Sequence, residues 1–247
     1  MIHIRDTWEI ERIYKSCQIV KETLETLENF IKPGVTTIEL DRIAEEYIRS
    51  KDAIPGFKGL YGFPSTICAS IDEEVVHGIP SNRILKNGQI LSLDVGAICD
   101  GYYGDHARSF AVGQITKDQQ DLMNVTEESL YKGIDAAIPG NFIGDIGYAI
   151  QKHVESFGYG IVRDLVGHGI GEKLHEDPQI PNFGTKSTGP KIEIGMCFAI
   201  EPMVTLNSYE VFTKNDNWTI ATRDGSFSAH FEHTITIDIN GPRILTK

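Results

Sequence analysis

Two aspartates lie close together in a pair of apolar stretches near the middle of the chain. Asp94 interrupts "QILSLDVGAI", and Asp105 follows in "YYGDHARSF". A carboxylate buried among apolar side chains needs compensation, because an unpaired buried charge costs on the order of several kcal/mol or more. For a single aspartate, a hydrogen-bonded turn or cap explains the residue equally well.

The residues between the two aspartates predict a β-hairpin. If Asp100-Gly101 forms its two-residue turn, Asp94 lies opposite Ala107 and Asp105 lies opposite Gly96. Side chains alternate along a strand, so both carboxylates project from one face, with Cα atoms roughly 7–8 Å apart. Two carboxylates at that range repel unless a cation lies between them, so the pair favours a metal site over a structural role.

Three further candidate ligands occur in the second half of the chain. Glu201 in "FAIEPM" and Glu232 in "AHFEHTITI" are expected in apolar strands, and His168 lies in "LVGHGIGEKLHEDP", where glycines would allow close backbone approach to a bound group. Four acids would be neutralised by two divalent ions, with His168 as the single nitrogen ligand. This donor set suits a two-metal hydrolase, in which ions about 3.5–4 Å apart share a bridging water or hydroxide.

Two histidines directly follow candidate ligands, His106 after Asp105 and His233 after Glu232. Successive side chains of a strand point to opposite faces, so a ligand and its following histidine cannot share one site. We therefore predict that neither His106 nor His233 binds metal.

The predicted helices and strands that would position these residues occur in the same order twice along the chain. Helical spacing of apolar residues ends at Pro33-Gly34 and again at Pro139-Gly140, and capping boxes at Thr36 and Thr116 each begin a helix. Strand-like segments follow each pair of helices, about one hundred residues apart. The pattern predicts an α/β (α+β) protein in which residues 1–247 form a single domain of two pseudo-symmetric halves, about 1–115 and 116–247.

Composition narrows the functional class. The chain of 247 residues has a net charge of -12, which argues against a broad nucleic-acid surface. Its four cysteines lack the C-x-x-C spacing of a zinc knuckle and suggest no disulfide framework. No apolar leader or uncharged run of membrane length occurs, so we expect a cytoplasmic protein without membrane partners.

The ordered motifs of the chain resemble those of type I methionine aminopeptidases, a subfamily of peptidase family M24. They are "VVHGIP", "LSLDVGA", "GYYGDHARSF", "GHGIGEKLHEDPQIP", "FAIEPM" and "NWTIATRDGSFSAHFEHTI", within a match that runs from about Ile10 to the C-terminus. The resemblance implies the pseudo-two-fold "pita-bread" (creatinase/aminopeptidase) fold, an antiparallel-rich curved sheet covered by helices.

The resemblance also implies a role for each matching residue. The implied metal ligands are Asp94, Asp105, His168, Glu201 and Glu232, with Glu232 bridging two ions. The implied substrate-contacting residues are His77 and His175, and those near the methionine side chain are Cys68, Phe63, Leu174 and Trp218. His106 departs from the family, which usually has a small hydroxyl residue at that position.

By the same resemblance, the expected activity is removal of the initiator methionine from nascent proteins and peptides, favoured when the second residue is small. A hydroxide that bridges two divalent ions would attack the first peptide bond, and Glu201 would carry the proton to the leaving amine. Co, Mn, Fe and Zn all fit the donor set. The expected partners are peptide and nascent-chain N-termini, a monomer is expected, and ribosome docking stays open.

Two other functions remain open at this point. A dipeptidase or creatine-hydrolase-like relative would keep the acids but change the pocket. A non-catalytic binding module could keep only the fold, although the presence of all five candidate ligands argues against it.

Overall fold

The computed structural model describes residues Met1–Lys247. Its four α-helices are α1 Thr7–Glu28, α2 Thr37–Ser50, α3 Lys117–Ala136 and α4 Ile143–Ser156. Its fifteen β-strands are β1 Ile54–Pro55, β2 Ile67–Ile71, β3 Glu74–Val76, β4 Gln89–Cys99, β5 Tyr102–Val112, β6 Gly160–Ile161, β7 Gly167–Gly169, β8 Glu176–Ile180, β9 Cys197–Ile200, β10 Met203–Thr205, β11 Val211–Thr213, β12 Ile220–Thr222, β13 Ser228–His230, β14 His233–Asp238 and β15 Gly241–Ile244. None of the helices combines the length and the apolar character needed to cross a membrane.

The predicted capping boxes begin α2 and α3. Thr36 accepts a hydrogen bond from the backbone N–H of Glu39, whose side chain accepts from the backbone N–H of Thr36. Thr116 and Gln119 make the same reciprocal pair. Each pair satisfies backbone donors that the first helical turn leaves free, so both predictions are confirmed.

Every strand pair in the protein is antiparallel, and the strands form four sheets. A four-stranded sheet holds β1, β2, β4 and β5, and its apolar core is shared with α1 and α2. A five-stranded sheet has the order β15-β14-β9-β7-β8, and α3 and α4 pack on it. Each of the two larger sheets is therefore covered by a pair of helices. The two pseudo-symmetric halves with a boundary near residue 115 remain a prediction.

The central hairpin of β4 and β5 has the predicted register. Asp94 pairs with Ala107 and Gly96 pairs with Asp105. The turn Asp100-Gly101 has φ values of 51° and 84°. Positive φ at both central residues is typical of the type I′ turn, whose twist matches that of the flanking strands. The local turn chemistry thus fixes the register that places both aspartates on one face.

The structure corrects the prediction that Glu201 and Glu232 lie within strands. Glu201-Pro202 separates β9 from β10, because proline has no N–H to continue the ladder. Glu232 lies between β13 and β14, and its N–H donates to the Ala107 carbonyl of β5 at 2.9 Å. At both breaks the chain passes between the five-stranded sheet and the three-stranded sheet β13-β10-β6. The two glutamates therefore lie at crossings between sheets.

Candidate active site

A cavity of about 330 Å³ lies beside the β4–β5 hairpin. It is lined by every residue that the sequence predicted for the site: Phe63, Cys68, His77, Asp94, Asp105, His168, Leu174, His175, Glu201, Trp218 and Glu232. The hairpin supplies the aspartates and the sheet crossings supply the glutamates. Five acids, the four predicted ones and Asp164, thus share one cavity and an apolar wall with three histidines.

The acids converge on His168 at one end of the cavity. Single side-chain atoms of Asp105, His168 and Glu232 all lie within 4.8 Å of one another, and all three residues are buried. His168 Nε2 lies 3.6 Å from Asp105 Oδ2 and 3.6 Å from Glu201 Oε1. Ligand atoms around one metal ion have similar separations, since each lies about 2.0–2.2 Å from the ion.

The backbone sets the tautomer of His168. Its Nδ1 lies 3.0 Å from the Gly169 carbonyl oxygen, which can only accept a hydrogen bond. Nδ1 therefore carries the proton, and the Nε2 lone pair points to the acids, as a metal ligand requires.

The glycines on either side of His168 do not have the predicted role. A Cβ at Gly167 or Gly169 would collide with a carbonyl of a neighbouring strand, so these glycines permit strand packing rather than approach to a bound group.

Three carboxylate oxygens of the cluster have no protein partner. Asp94 Oδ1, Asp105 Oδ1 and Glu232 Oε1 are buried and accept no hydrogen bond. Buried polar atoms in folded proteins nearly always have a partner, so these oxygens fit a cation. Carboxylate oxygens with one imidazole nitrogen suit first-row divalent ions.

Burial also opposes charge on the same acids. It raises the pKa of Asp94 to about 7 and the pKa of Glu201 to about 8. Burial and the neighbouring carboxylates raise the pKa values of Asp105 and Glu232 well above their ordinary range. Burial lowers the pKa of His168 to about 3, so its imidazole is neutral. The cluster thus combines a neutral nitrogen donor with acids whose ionisation a cation would favour.

Two further histidines of the cavity, His77 and His175, lie outside the carboxylate cluster. His77 has a φ of 58°, a left-handed conformation uncommon outside glycine, and burial lowers its pKa to about 4. The ring of His175 lies edge-on to His168 at 4.5 Å and parallel to exposed Tyr61 at 6.0 Å. Both imidazoles can hydrogen-bond to a bound substrate.

Apolar side chains form the wall beside the cluster. Phe63 contacts Trp218 edge-on with ring centroids 5.1 Å apart. Burial, with Asp94 nearby, raises the pKa of the Cys68 thiol well above its usual range, so the thiol stays neutral. A neutral sulfur and aromatic rings suit an unbranched thioether side chain. Eight lining residues were not predicted from the sequence: Phe57, Leu60, Tyr61, Val76, Asp164, Leu165, Val166 and Met203.

His230 is a further residue near the site that was not predicted from the sequence. This residue is 1% exposed, and its Nε2 lies 3.5 Å from Glu201 Oε2. It precedes Glu232 by two residues in "AHFEHT", and residues two apart on a strand share a face. That spacing was the available signal.

The histidines His106 and His233 lie behind the sheet in a second cavity and do not line the first. Their rings stack with centroids 4.8 Å apart and planes 13° from parallel. His106 Nδ1 donates to the Glu232 carbonyl, and His233 contacts the Thr246 hydroxyl at 2.8 Å and the Tyr131 hydroxyl at 3.4 Å. These contacts agree with the prediction that neither histidine binds metal.

Comparisons of sequence and structure relate this chain to known proteins. The model of metallopeptidase family M24 matches residues 11–238. A methionine aminopeptidase of Clostridium acetobutylicum is 54% identical over 247 residues, which cover 100% of this chain and 99% of that protein. Methionine aminopeptidase 1 of Bacillus subtilis is 50% identical, with 100% of both chains covered. The crystal structure of methionine aminopeptidase from Rickettsia prowazekii superposes with a TM-score of 0.99 at 42% identity and covers 100% of both chains.

The fold and the site together define a metallopeptidase, and the chain belongs to metallopeptidase family M24. Its full-length similarity to bacterial methionine aminopeptidases confirms the resemblance drawn from the motifs and the prediction of an aminopeptidase, a hydrolase. The structural likeness confirms the predicted pita-bread fold with its helices and antiparallel sheets.

Proposed function

We propose that this protein removes the N-terminal methionine from peptides and nascent proteins with the help of two divalent ions. One observation carries the proposal: the carboxylates of Asp105, Glu201 and Glu232 surround His168, with Asp94 in the same cavity, beside an apolar wall that holds a neutral thiol. The activity named for its full-length relatives supports it.

The five residues Asp94, Asp105, His168, Glu201 and Glu232 would hold the ions. Four ionised carboxylates match the charge of two divalent cations, and the oxygens without partners supply free lone pairs. When bound, divalent ions supply Lewis acidity and lower the pKa of water towards neutrality. Co, Mn, Fe and Zn are all compatible with oxygen-rich ligands and one imidazole.

The apolar wall would bind the methionine side chain. Phe63 and Trp218 offer aromatic faces, and Cys68 and Leu174 complete a surface without charge. Thioether sulfur makes favourable contacts with aromatic rings. With the side chain in this wall, the α-amino group lies beside the acids, so recognition of a free N-terminus needs no separate anchor.

The cavity histidines and Glu201 would act on the peptide bond. His77 and His175, which line the cavity, would donate to the scissile carbonyl oxygen, where negative charge develops during attack. Glu201, ionised when the divalent cations are bound, would take a proton from the attacking water and deliver it to the leaving amine. A large second side chain would meet Tyr61 and His175 at the mouth, which favours peptides with a small second residue.

The test compares two peptides with protein stripped of metal and reconstituted separately with Co, Mn, Fe and Zn. Release of methionine from Met-Ala-Ser that depends on added metal is the expected result. Cleavage of an X-Pro dipeptide without cleavage of Met-Ala-Ser would instead assign the dipeptidase function. Failure to cleave either peptide with any of the four metals would favour a non-catalytic module.

A further inference from the structure

His230 is a polar side chain behind the carboxylate cluster that none of the proposed roles uses. It does not line the cavity, and only 1% of the residue is exposed. Its Nε2 is buried without a hydrogen-bond partner, 3.5 Å from Glu201 Oε2. A buried nitrogen with no partner is costly, which points to an interaction with the adjacent Glu201 carboxylate.

Glu201 lies between two imidazoles. Its Oε1 is 3.6 Å from Nε2 of His168, and its Oε2 is 3.5 Å from Nε2 of His230. His168 lines the cavity, whereas His230 lies outside that lining. The two oxygens of one carboxylate therefore face different layers of the site.

The backbone of His230 is fixed to the central hairpin. Its N–H donates to Ser109 Oγ at 2.9 Å, and its carbonyl accepts from the same hydroxyl at 3.0 Å. Ser109 Oγ in turn lies 2.7 Å from Ser92 Oγ on the neighbouring strand. The hairpin that carries Asp94 and Asp105 thus also holds the backbone of His230 in place near Glu201.

We infer that His230 is a positioning residue whose Nε2–H donates to Glu201 Oε2 and so leaves Glu201 Oε1 free beside His168. A small rotation of the carboxylate brings the 3.5 Å separation to hydrogen-bond length. A role as a further metal ligand fits less well, because His230 lies outside the cavity lining and the four acids already match two divalent ions. The inference rests on the proposed function, since it assigns Glu201 to the metal centre.

The test replaces His230 by leucine, which cannot donate, and by glutamine, whose amide can. Calorimetric titration of metal-free protein with Zn²⁺ or Mn²⁺ measures affinity and stoichiometry without any activity assay. We expect H230L to bind as many ions as the unchanged protein, with affinity or kcat about 10–100-fold lower and an unchanged KM for Met-Ala-Ser. H230Q should recover most of the loss. The matched control is H233L, which removes a buried imidazole from the second cavity, called the rear cavity because it lies behind the sheet. This variant should leave the affinity for metal unchanged.

Three results would overturn the inference. Loss of one bound ion in H230L would make His230 a ligand, unchanged affinity and kcat would make it a spectator, and a loss that H230Q does not recover would indicate a packing role. If H230L does not fold, H230A is measured in the same way. If the unchanged protein binds metal with this dependence on His230 but releases no methionine, the proposed function fails while the positioning role stands.

Discussion

Asp105 and His106 are consecutive residues, yet their side chains lie on opposite faces of β5 in cavities of different character. In the front cavity, which contains the carboxylate cluster, carboxylate oxygens of Asp105 and Glu232 have no protein partner. In the rear cavity, both nitrogens of His233 contact hydroxyls, and His106 Nδ1 contacts a backbone carbonyl. Proximity of histidines and acids alone therefore does not identify a metal site. Buried carboxylate oxygens without partners distinguish the front cavity from the rear one.

The largest difference in activity and metal content is expected between a variant on the front face of β5 and a variant on its rear face. D105N removes a negative oxygen from the front cluster, so we expect activity at the detection limit and loss of at least one ion. H106S removes a contact to the Glu232 backbone carbonyl but no predicted metal ligand, and it should retain the full metal content. Elemental analysis of both purified variants, with Met-Ala-Ser hydrolysis, checks the pair, and loss of an ion from H106S would remove the distinction.

A smaller effect is expected from the imidazole at the mouth of the front cavity. H175F keeps a ring that can stack on Tyr61 but loses both nitrogens. If His175 stabilises the developing oxyanion, kcat should fall about 10²–10³-fold with metal content unchanged. Steady-state kinetics with Met-Ala-Ser measures this, and a rise in KM alone would show that the ring binds the substrate and the transition state equally.

The apolar wall should affect specificity more than chemistry. W218A removes the ring that contacts Phe63, and we expect kcat/KM for methionyl peptides to fall about 10-fold. The matched control is W8A, because Trp8 is 54% exposed and lies outside the cavity lining. Equal kinetics for W218A and W8A would exclude Trp218 from the methionine pocket.

The front cavity should also make the metal-free protein sensitive to alkaline pH. The pKa of Glu201 is raised to about 8 and that of Asp94 to about 7 by burial, so the folded state holds protons that the unfolded state has released. Stability then falls as pH rises, by about 1.4 kcal/mol per pH unit for each proton held. The histidines with lowered pKa values stop contributing to the slope above about pH 6.5, the ordinary value of an unfolded histidine.

The pH prediction is checked by urea unfolding between about pH 6.5 and about pH 8, the range set by the unfolded histidine and the raised glutamate. Metal-free protein should lose stability over this window, whereas saturating divalent metal should flatten the profile because the acids stay ionised. The metal-free D94N variant serves as a control and should show a shallower slope. A flat profile for the metal-free protein would contradict the proposed protonation of these acids.

The rear cavity should contribute stability alone. H233L leaves the hydroxyls of Thr246 and Tyr131 without their imidazole partner, and an unsatisfied buried polar group costs about 1–3 kcal/mol. We expect that loss in urea unfolding, with metal content and kcat retained. A loss of metal from H233L would show that the two faces are coupled.

Local sequence signals predicted the first half of the site well. The Asp100-Gly101 turn determines the β4–β5 register, so the shared face of Asp94 and Asp105 follows from counting residues. The capping boxes located the starts of α2 and α3 for a similar reason, since each depends on residues three positions apart. Where the determinants are close in sequence, the structure agrees with the prediction.

Long-range packing limited the prediction for the second half. Pro202 and the crossing at Glu232 divide two expected strands, and which sheet each piece joins depends on contacts over more than one hundred residues, as between Glu232 and Ala107. The two-residue spacing from Glu232 was a sequence signal for His230, but its approach to Glu201 depends on the folded chain. The resemblance to a family supplied the residue roles that periodicity could not.

Calorimetric titration of metal-free protein with a divalent ion at about pH 7, in buffers of different ionisation enthalpy, tests most directly whether the front cavity is a metal centre. The account predicts two ions bound per chain, and the raised pKa values of Asp94 and Glu201 predict net release of protons on binding at this pH. Binding without proton release near neutral pH, or undiminished binding by D105N, would contradict the assignment of the metal to these carboxylates.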